Sequence, residues 1–180
     1  LLDGGNEILQ AKSTGLAIIE LAKEFQRIKP DLVLTVADRY ETIATAIAAT
    51  YSNIPLAHVQ GGEVSGNLDE TVRHSITKLA HLHFVTTKKS KQRVLKLGEE
   101  KSRVFLTGCP AMDLINPRTV KMNKGFFEKL NLLGNKIDIS KPYIVVVNHP
   151  LNTDTKTNKK NGKILFKALS KRNEQIVIFW

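Results

Sequence analysis

The stretch "LAHVQGGEVSGNLDETVRHSITKLAHLHFVTT" (56–87) decides the fold. It opens on an apolar run at 56–59, bends through glycines, carries a helical period over 69–82 and closes on a second apolar run at 83–87. Strand, helix and strand in such close succession form the unit of a parallel sheet wrapped by crossover helices.

The same alternation continues outward in both directions. Further strands are predicted at 31–37, 103–108, 143–148 and 175–180, and helices at about 7–28, 40–52, 88–97, 124–133 and 161–172. In the first helix Ile8, Ala11, Gly15, Ile18, Ala22 and Phe25 recur every three to four residues, so one face can be buried. Strands this uniformly apolar are expected to be covered on both faces. The rhythm breaks at "CPAMDLINPRT" (109–119), which carries two prolines, and at "LLGNKIDISKP" (132–142). A boundary between two α/β domains is therefore expected near Asn116–Met122, giving a first domain at 1–117 and the start of a second at 118–180. The second holds too few elements to stand alone, which predicts a piece of a longer protein.

Composition narrows the class. A chain of 180 residues has ample sequence for a packed core. No run approaches the roughly 18 apolar residues of a membrane span, and no basic-then-apolar leader precedes the first helix, so the expected setting is the cytosol. The one cysteine, Cys109, gives neither a disulfide framework nor metal-ligand spacing. Net charge is +10, much of it in "TKKSKQRVLK" (87–96) and "TKTNKKNGK" (155–163). No nucleic-acid-binding motif or interleaved aromatics accompany these lysines, so a solvated basic surface that attracts phosphates is expected, with no nucleic-acid partner.

Ligands of open parallel sheets sit outside the carboxyl ends of the strands. There the chain places Asp38-Arg39-Tyr40-Glu41, then Gln60-Gly61-Gly62-Glu63, then Asn148-His149-Pro150. Gly61 and Gly62 allow backbone to approach a ligand closely. Asn67 is expected to cap the helix at 69–82, with Glu70 in capping-box register and Asp69 favouring the positive helix end. Arg73 lies one turn further on, where it and a carboxylate of that first turn can share a crevice suited to an anion. Of the five histidines, His58, His74, His81 and His83 lie within elements or at their junctions and are read as packing residues. His81 and His83 have no third ligand nearby, so no metal site is expected. His149, at a strand end beside Pro150, is the candidate for chemistry. With no G-x-S-x-G elbow, Walker A loop or G-x-G-x-x-G, acid–base chemistry by carboxylates and an imidazole remains.

The segments "VADRYETIATAIAATYSNIPLAHVQGGEVSGNLDETVRHSITKLAHLHF" (36–84), "LTGCPAMDLI" (106–115) and "VVVNHPLNTD" (145–154) resemble the hydrolysing UDP-N-acetylglucosamine 2-epimerases of sialic-acid-type sugar biosynthesis. The resemblance implies two Rossmann-like domains of the glycosyltransferase-B architecture, truncated here at both ends, and a homodimer as the complete protein. It implies removal of the C2 proton and expulsion of UDP to give a 2-acetamidoglucal, then hydration to N-acetylmannosamine, without cofactor or metal.

Carried over by position, Asp38 matches a catalytic aspartate, Asp69 the acidic residue opening the helix, His149 a histidine contacting the nucleotide sugar, and Arg39 an arginine on the UDP side. Two positions depart from the family pattern. Gln60 stands where H-x-E-G-G-E has its glutamate, and Ala37 replaces a histidine. An amide cannot act as a base, so that role falls to Glu63 or to Asp38 with Asp69, or the sugar differs, as in a diacetylated bacillosamine nucleotide on the way to legionaminic acid. The resemblance also implies that the 180-residue piece alone is inactive. A catalytically silent nucleotide-sugar-binding lobe and a glycosyltransferase of the same architecture are the competing readings.

Overall fold

A computed structural model describes residues 7–115, 133–149 and 155–179. The chain divides into two compact units, Leu1–Ile115 and Asn116–Trp180. The helix expected at 124–133 lies outside the described residues save its last position, which is not helical.

In the first unit the order is α1 (Glu7–Ile28), β1 (Val33–Val36), α2 (Tyr40–Tyr51), β2 (Leu56–Val59), α3 (Leu68–Leu79), β3 (Leu82–Val85), α4 (Lys88–Lys96), a 3₁₀ turn (Lys101–Arg103), β4 (Val104–Leu106) and a short α5 (Pro110–Asp113). The strands form one parallel sheet in the order β1-β2-β3-β4. Parallel strand–helix–strand units cross over right-handedly. When each new strand is added on the same side, that rule sends every crossover helix to the same face. Accordingly Val33, Thr35, Leu56, His58, His83, Val85 and Val104 are buried, with Leu56 and Ile76 of α3 at the centre of a core that also takes in Ala46, Ala49 and Ala80.

Among the described residues the cover expected on both faces is complete only on this one: on the other, Ala57 of β2 is buried while the outer strands are not. Leu34 and Val36 of β1 and Phe105 of β4 point to the other face and are 57%, 48% and 43% exposed. Phe84 stacks on Phe105 at 5.5 Å across that face.

Strands β1 and β2 end where the backbone turns over. Ala37 and Gln60 each adopt φ of 67°, a left-handed conformation that takes the chain out of the ladder and costs a non-glycine residue about 1 kcal/mol. The strand read at 31–37 therefore stops at Val36. The later strands are likewise trimmed by one or two residues relative to the apolar runs at 83–87 and 103–108.

The second unit holds β5 (Tyr143–Val147), α6 (Thr155–Leu169) and β6 (Gln175–Phe179). β5 and β6 pair in parallel, from Tyr143 opposite Gln175 to Val147 opposite Phe179. Helix α6 begins earlier and ends earlier than the 161–172 expected from apolar spacing, since its first turns are lysine and asparagine. Asp138 binds the Gln175 side chain at both its N–H (2.7 Å) and its carbonyl (2.8 Å), tying the segment before β5 to the start of β6.

Candidate active site

Four elements of the first unit deliver polar groups to the carboxyl edge of its sheet. The central feature is an ion pair between Arg73, in the second turn of α3, and Asp38, the second residue after β1. Arg73 is only 5% exposed. Burial pushes its pKa below the ordinary arginine value, and the facing carboxylate opposes that cost by stabilising the charged form. A second guanidinium nitrogen of Arg73 donates to the Glu63 carbonyl at 2.6 Å. One buried cation thus joins the loops that follow β1 and β2. The partner differs from the local carboxylate that helical spacing suggested: it lies 35 residues upstream and is brought there by the parallel pairing of β1 with β2.

The two glycines of the Gly61-Gly62 turn serve different ends. A Cβ on Gly61 would stand 3.1 Å from both His58 Nδ1 and Thr77 Oγ1, so its absence lets α3 lie close to β2. Gly62 has φ of 78°, and a side chain there would run into the Ser90 carbonyl of α4. Arg93 of α4 donates to the Gly62 carbonyl at 3.1 Å. The Glu63 carboxylate accepts from Thr86 Oγ1 at 2.6 Å, directly after β3. Gln60 directs its amide at the Cys109 thiol, 3.7 Å away after β4.

At the opening of α3, Asn67 occupies the cap position but makes no side-chain cap bond. Its amide donates to Asp69 at 3.1 Å and its carbonyl oxygen accepts from Ser65 Oγ at 2.7 Å. Glu70 reaches back past the cap to the N–H groups of Gly66 (2.7 Å) and Ser65 (2.9 Å), which hold its carboxyl below the usual range. The expected capping box is therefore displaced into the loop, because the chain before Asn67 curls over the helix end and offers nearer donors. Arg39 turns away from Asp38: it pairs with Glu41 at 3.2 Å and lies over the Tyr40 ring, and its side chain is 69% exposed. His149 belongs to the second unit, where it follows Asn148 at the carboxyl end of β5 and is exposed.

The remaining histidines divide. His81 accepts the Leu56 N–H at 3.2 Å, and His74 lies 3.8 Å from Glu70. His83 is fully buried against Glu99 at 3.1 Å, at the start of β3. His58 is fully buried too, yet its Nε2 lies 2.9 Å from the Ala37 carbonyl at the site's edge. A hydrogen-bonded packing residue is what the sequence suggested for His58, without its partner; Thr77, Thr86 and Arg93 were not singled out. The rule that ligands gather at strand ends applies equally to β3, and would have found Thr86.

A buried guanidinium fixed beside a carboxylate, with further carboxylates on a glycine turn and at a helix start, suits an anionic substrate that gains or loses a proton. Comparison with known proteins agrees in kind. A family model described as UDP-N-acetylglucosamine 2-epimerase matches residues 1–180. A Campylobacter jejuni GDP/UDP-N,N'-diacetylbacillosamine 2-epimerase (hydrolyzing) is 38% identical over 180 residues, 99% of this chain and 46% of that protein. The Legionella pneumophila UDP-N,N'-diacetylbacillosamine 2-epimerase (hydrolyzing) is 35% identical over 93% of this chain and 43% of its own length. The chain thus spans about half the length of the curated relatives it matches. Among solved structures, the Neisseria meningitidis UDP-GlcNAc 2-epimerase bound to UDP-GlcNAc superposes with a TM-score of 0.78 at 23% identity, over 99% of this chain and 49% of that one, and shares the fold. With the family model matched along its whole length, this chain belongs to the UDP-N-acetylglucosamine 2-epimerase family.

Proposed function

We propose that this chain supplies the first-domain half of the active site of a hydrolysing 2-epimerase acting on a nucleotide-linked 2-acetamido sugar. Asp38 held against buried Arg73 at the sheet's carboxyl edge is the observation that carries this reading. A carboxylate takes the proton from C2 while the C1–O bond to the nucleotide diphosphate breaks, so the electron pair of C2–H becomes the C1=C2 bond of a glycal. Water then adds: hydroxide to C1, and a proton to C2 on the opposite face, giving the 2-epimeric free sugar and the nucleotide diphosphate.

Gln60 cannot be the base. Asp38, Asp69 and Glu63 are the carboxylates left for the two proton transfers, and Asp38 is the one held against the Arg73 cation. His149 and Arg39 are assigned to nucleotide-sugar contact, with the glycine turn at 61–62 against the sugar. The identity with two hydrolysing diacetylbacillosamine epimerases favours a UDP- or GDP-linked N,N'-diacetylbacillosamine over UDP-N-acetylglucosamine as substrate. The assignment of 1–117 and 118–180 to separate Rossmann-like domains, and a homodimeric complete protein, belong to the same proposal.

The test incubates the full-length protein with each nucleotide sugar in deuterated water and follows the products by proton NMR. Free nucleotide diphosphate together with a manno-configured sugar deuterated at C2 is expected from the diacetylbacillosamine substrate. Binding without turnover would support the silent lobe, and transfer only in the presence of a sugar acceptor would support the glycosyltransferase.

A further inference from the structure

Ala37 is an uncommon residue to find at positive φ, and the structure shows what holds it there. Its N–H donates to the Val59 carbonyl at 3.0 Å. Its carbonyl faces His58 Nε2 at 2.9 Å. Both groups come from β2, so the left-handed turn is gripped on each side by the neighbouring strand. The carbonyl so held belongs to the peptide bond leading into Asp38, and its orientation sets that of the Asp38 backbone.

The protonation of His58 follows from its partners. A carbonyl only accepts, so Nε2 carries the proton. Nδ1 faces Thr77 Oγ1 at 3.3 Å, and Gly61 leaves that gap free of a side chain. In the neutral ring Nδ1 carries no hydrogen and can only accept. The Thr77 hydroxyl donates its one hydrogen to the carbonyl of Arg73 at 3.1 Å, the residue paired with Asp38, so the contact of Nδ1 with Thr77 is one of packing and the hydrogen bond that holds the ring is Nε2–H to Ala37.

We propose that His58 is a positioning residue of this site, whose Nε2–H locks the Ala37–Asp38 peptide so that the Asp38 carboxylate stays aligned with Arg73 and the substrate. It touches no substrate and transfers no proton. The inference rests on the epimerase reading for its kinetic consequence, while its structural content stands on the hydrogen bonds alone.

The experiment uses the full-length protein, with His58→Leu and His58→Gln variants. Long-range proton–nitrogen NMR of the wild type is expected to show the His58 ring protonated at Nε2 and bare at Nδ1 at neutral pH; the opposite tautomer overturns the proposal. Misplacing a reacting group by about 1 Å costs on the order of 100-fold in rate. His58→Leu is accordingly expected to lower kcat by about 10- to 100-fold with KM held within about threefold. His58→Gln, whose amide can still donate to the Ala37 carbonyl, is expected to recover most of that loss. Equal losses in the two variants, or a loss confined to KM, would overturn the proposal. If His58→Leu fails to fold, the tautomer decides. A wild-type protein that releases no nucleotide from any nucleotide sugar refutes the reaction instead; the tautomer and the Asp38 amide shift, conserved in His58→Gln and lost in His58→Leu, then judge His58 by themselves.

Discussion

Asp38 and Arg73 carry stability and chemistry in one contact, and the two can be separated. Arg73 is buried, so its charge is tolerable only because a carboxylate and a carbonyl face it. Asp38→Asn is expected to abolish nucleotide release and to cost about 3 kcal/mol in stability, since it strands a buried cation. Arg73→Met alone removes the cation and its hydrogen bond to the Glu63 carbonyl. In the double variant both charges are gone, so most of the stability returns while activity does not. Urea unfolding read beside UDP release checks both halves. A double variant no more stable than Asp38→Asn would show that the pair contributes nothing through its charge, and normal turnover by Asp38→Asn would remove Asp38 from the reaction.

Among the elements, the turn after β2 is the most exacting. Gly62 meets the backbone of α4 while holding φ at 78°, so two independent costs fall on one substitution. Gly62→Ala is expected to lose about 2–4 kcal/mol, of which 1–2 is the left-handed backbone and the rest displacement of α4. Since Arg93 of α4 binds the Gly62 carbonyl, a shift of that helix moves the turn as well, and activity should fall with stability. Thermal melts and turnover measured together test this; an unchanged melting temperature would mean that α4 yields freely. The sequence announced this turn by composition, because consecutive glycines after an apolar run have few other uses. Strand and helix order was equally legible, since alternation of period survives without knowing the packing. Three things were not. The end of β1 lies at an alanine in a glycine-like conformation whose carbonyl meets His58 from the next strand, which no local pattern encodes. The partner of Arg73 depends on strand register. The uneven cover of Leu34, Val36 and Phe105 among the described residues depends on strand order.

Across the first unit, the covered face of the sheet carries a buried polar row. Thr35, His58 and His83 stand opposite one another on β1, β2 and β3, all at 5% exposure or less. Burial lowers the pKa of His58 to about 4, with the Ala37 hydrogen bond opposing that shift and the neighbouring His83 and His74 adding to it. Burial lowers His83 too, against the pull of Glu99 upward. Both rings are therefore neutral in the folded protein at pH values where an unfolded histidine, with a pKa near 6.5, already binds a proton. The unfolded chain then holds more protons than the native one, so stability rises with pH through this window. The contribution of a neutral His58 is complete above pH ~6.5 and declines toward pH ~4, amounting to about 2 kcal/mol between pH ~7 and ~4.5. Glutamates begin to protonate at the acid end of that range, so the difference between the wild type and His58→Gln is what isolates the histidine. Urea midpoints of the full-length protein at those two pH values should differ accordingly, and His58→Gln should flatten the dependence. A flat profile in the wild type would mean that His58 charges inside the fold, in which case its Nδ1–H would donate to Thr77 and the grip on Ala37 would be that of a cation.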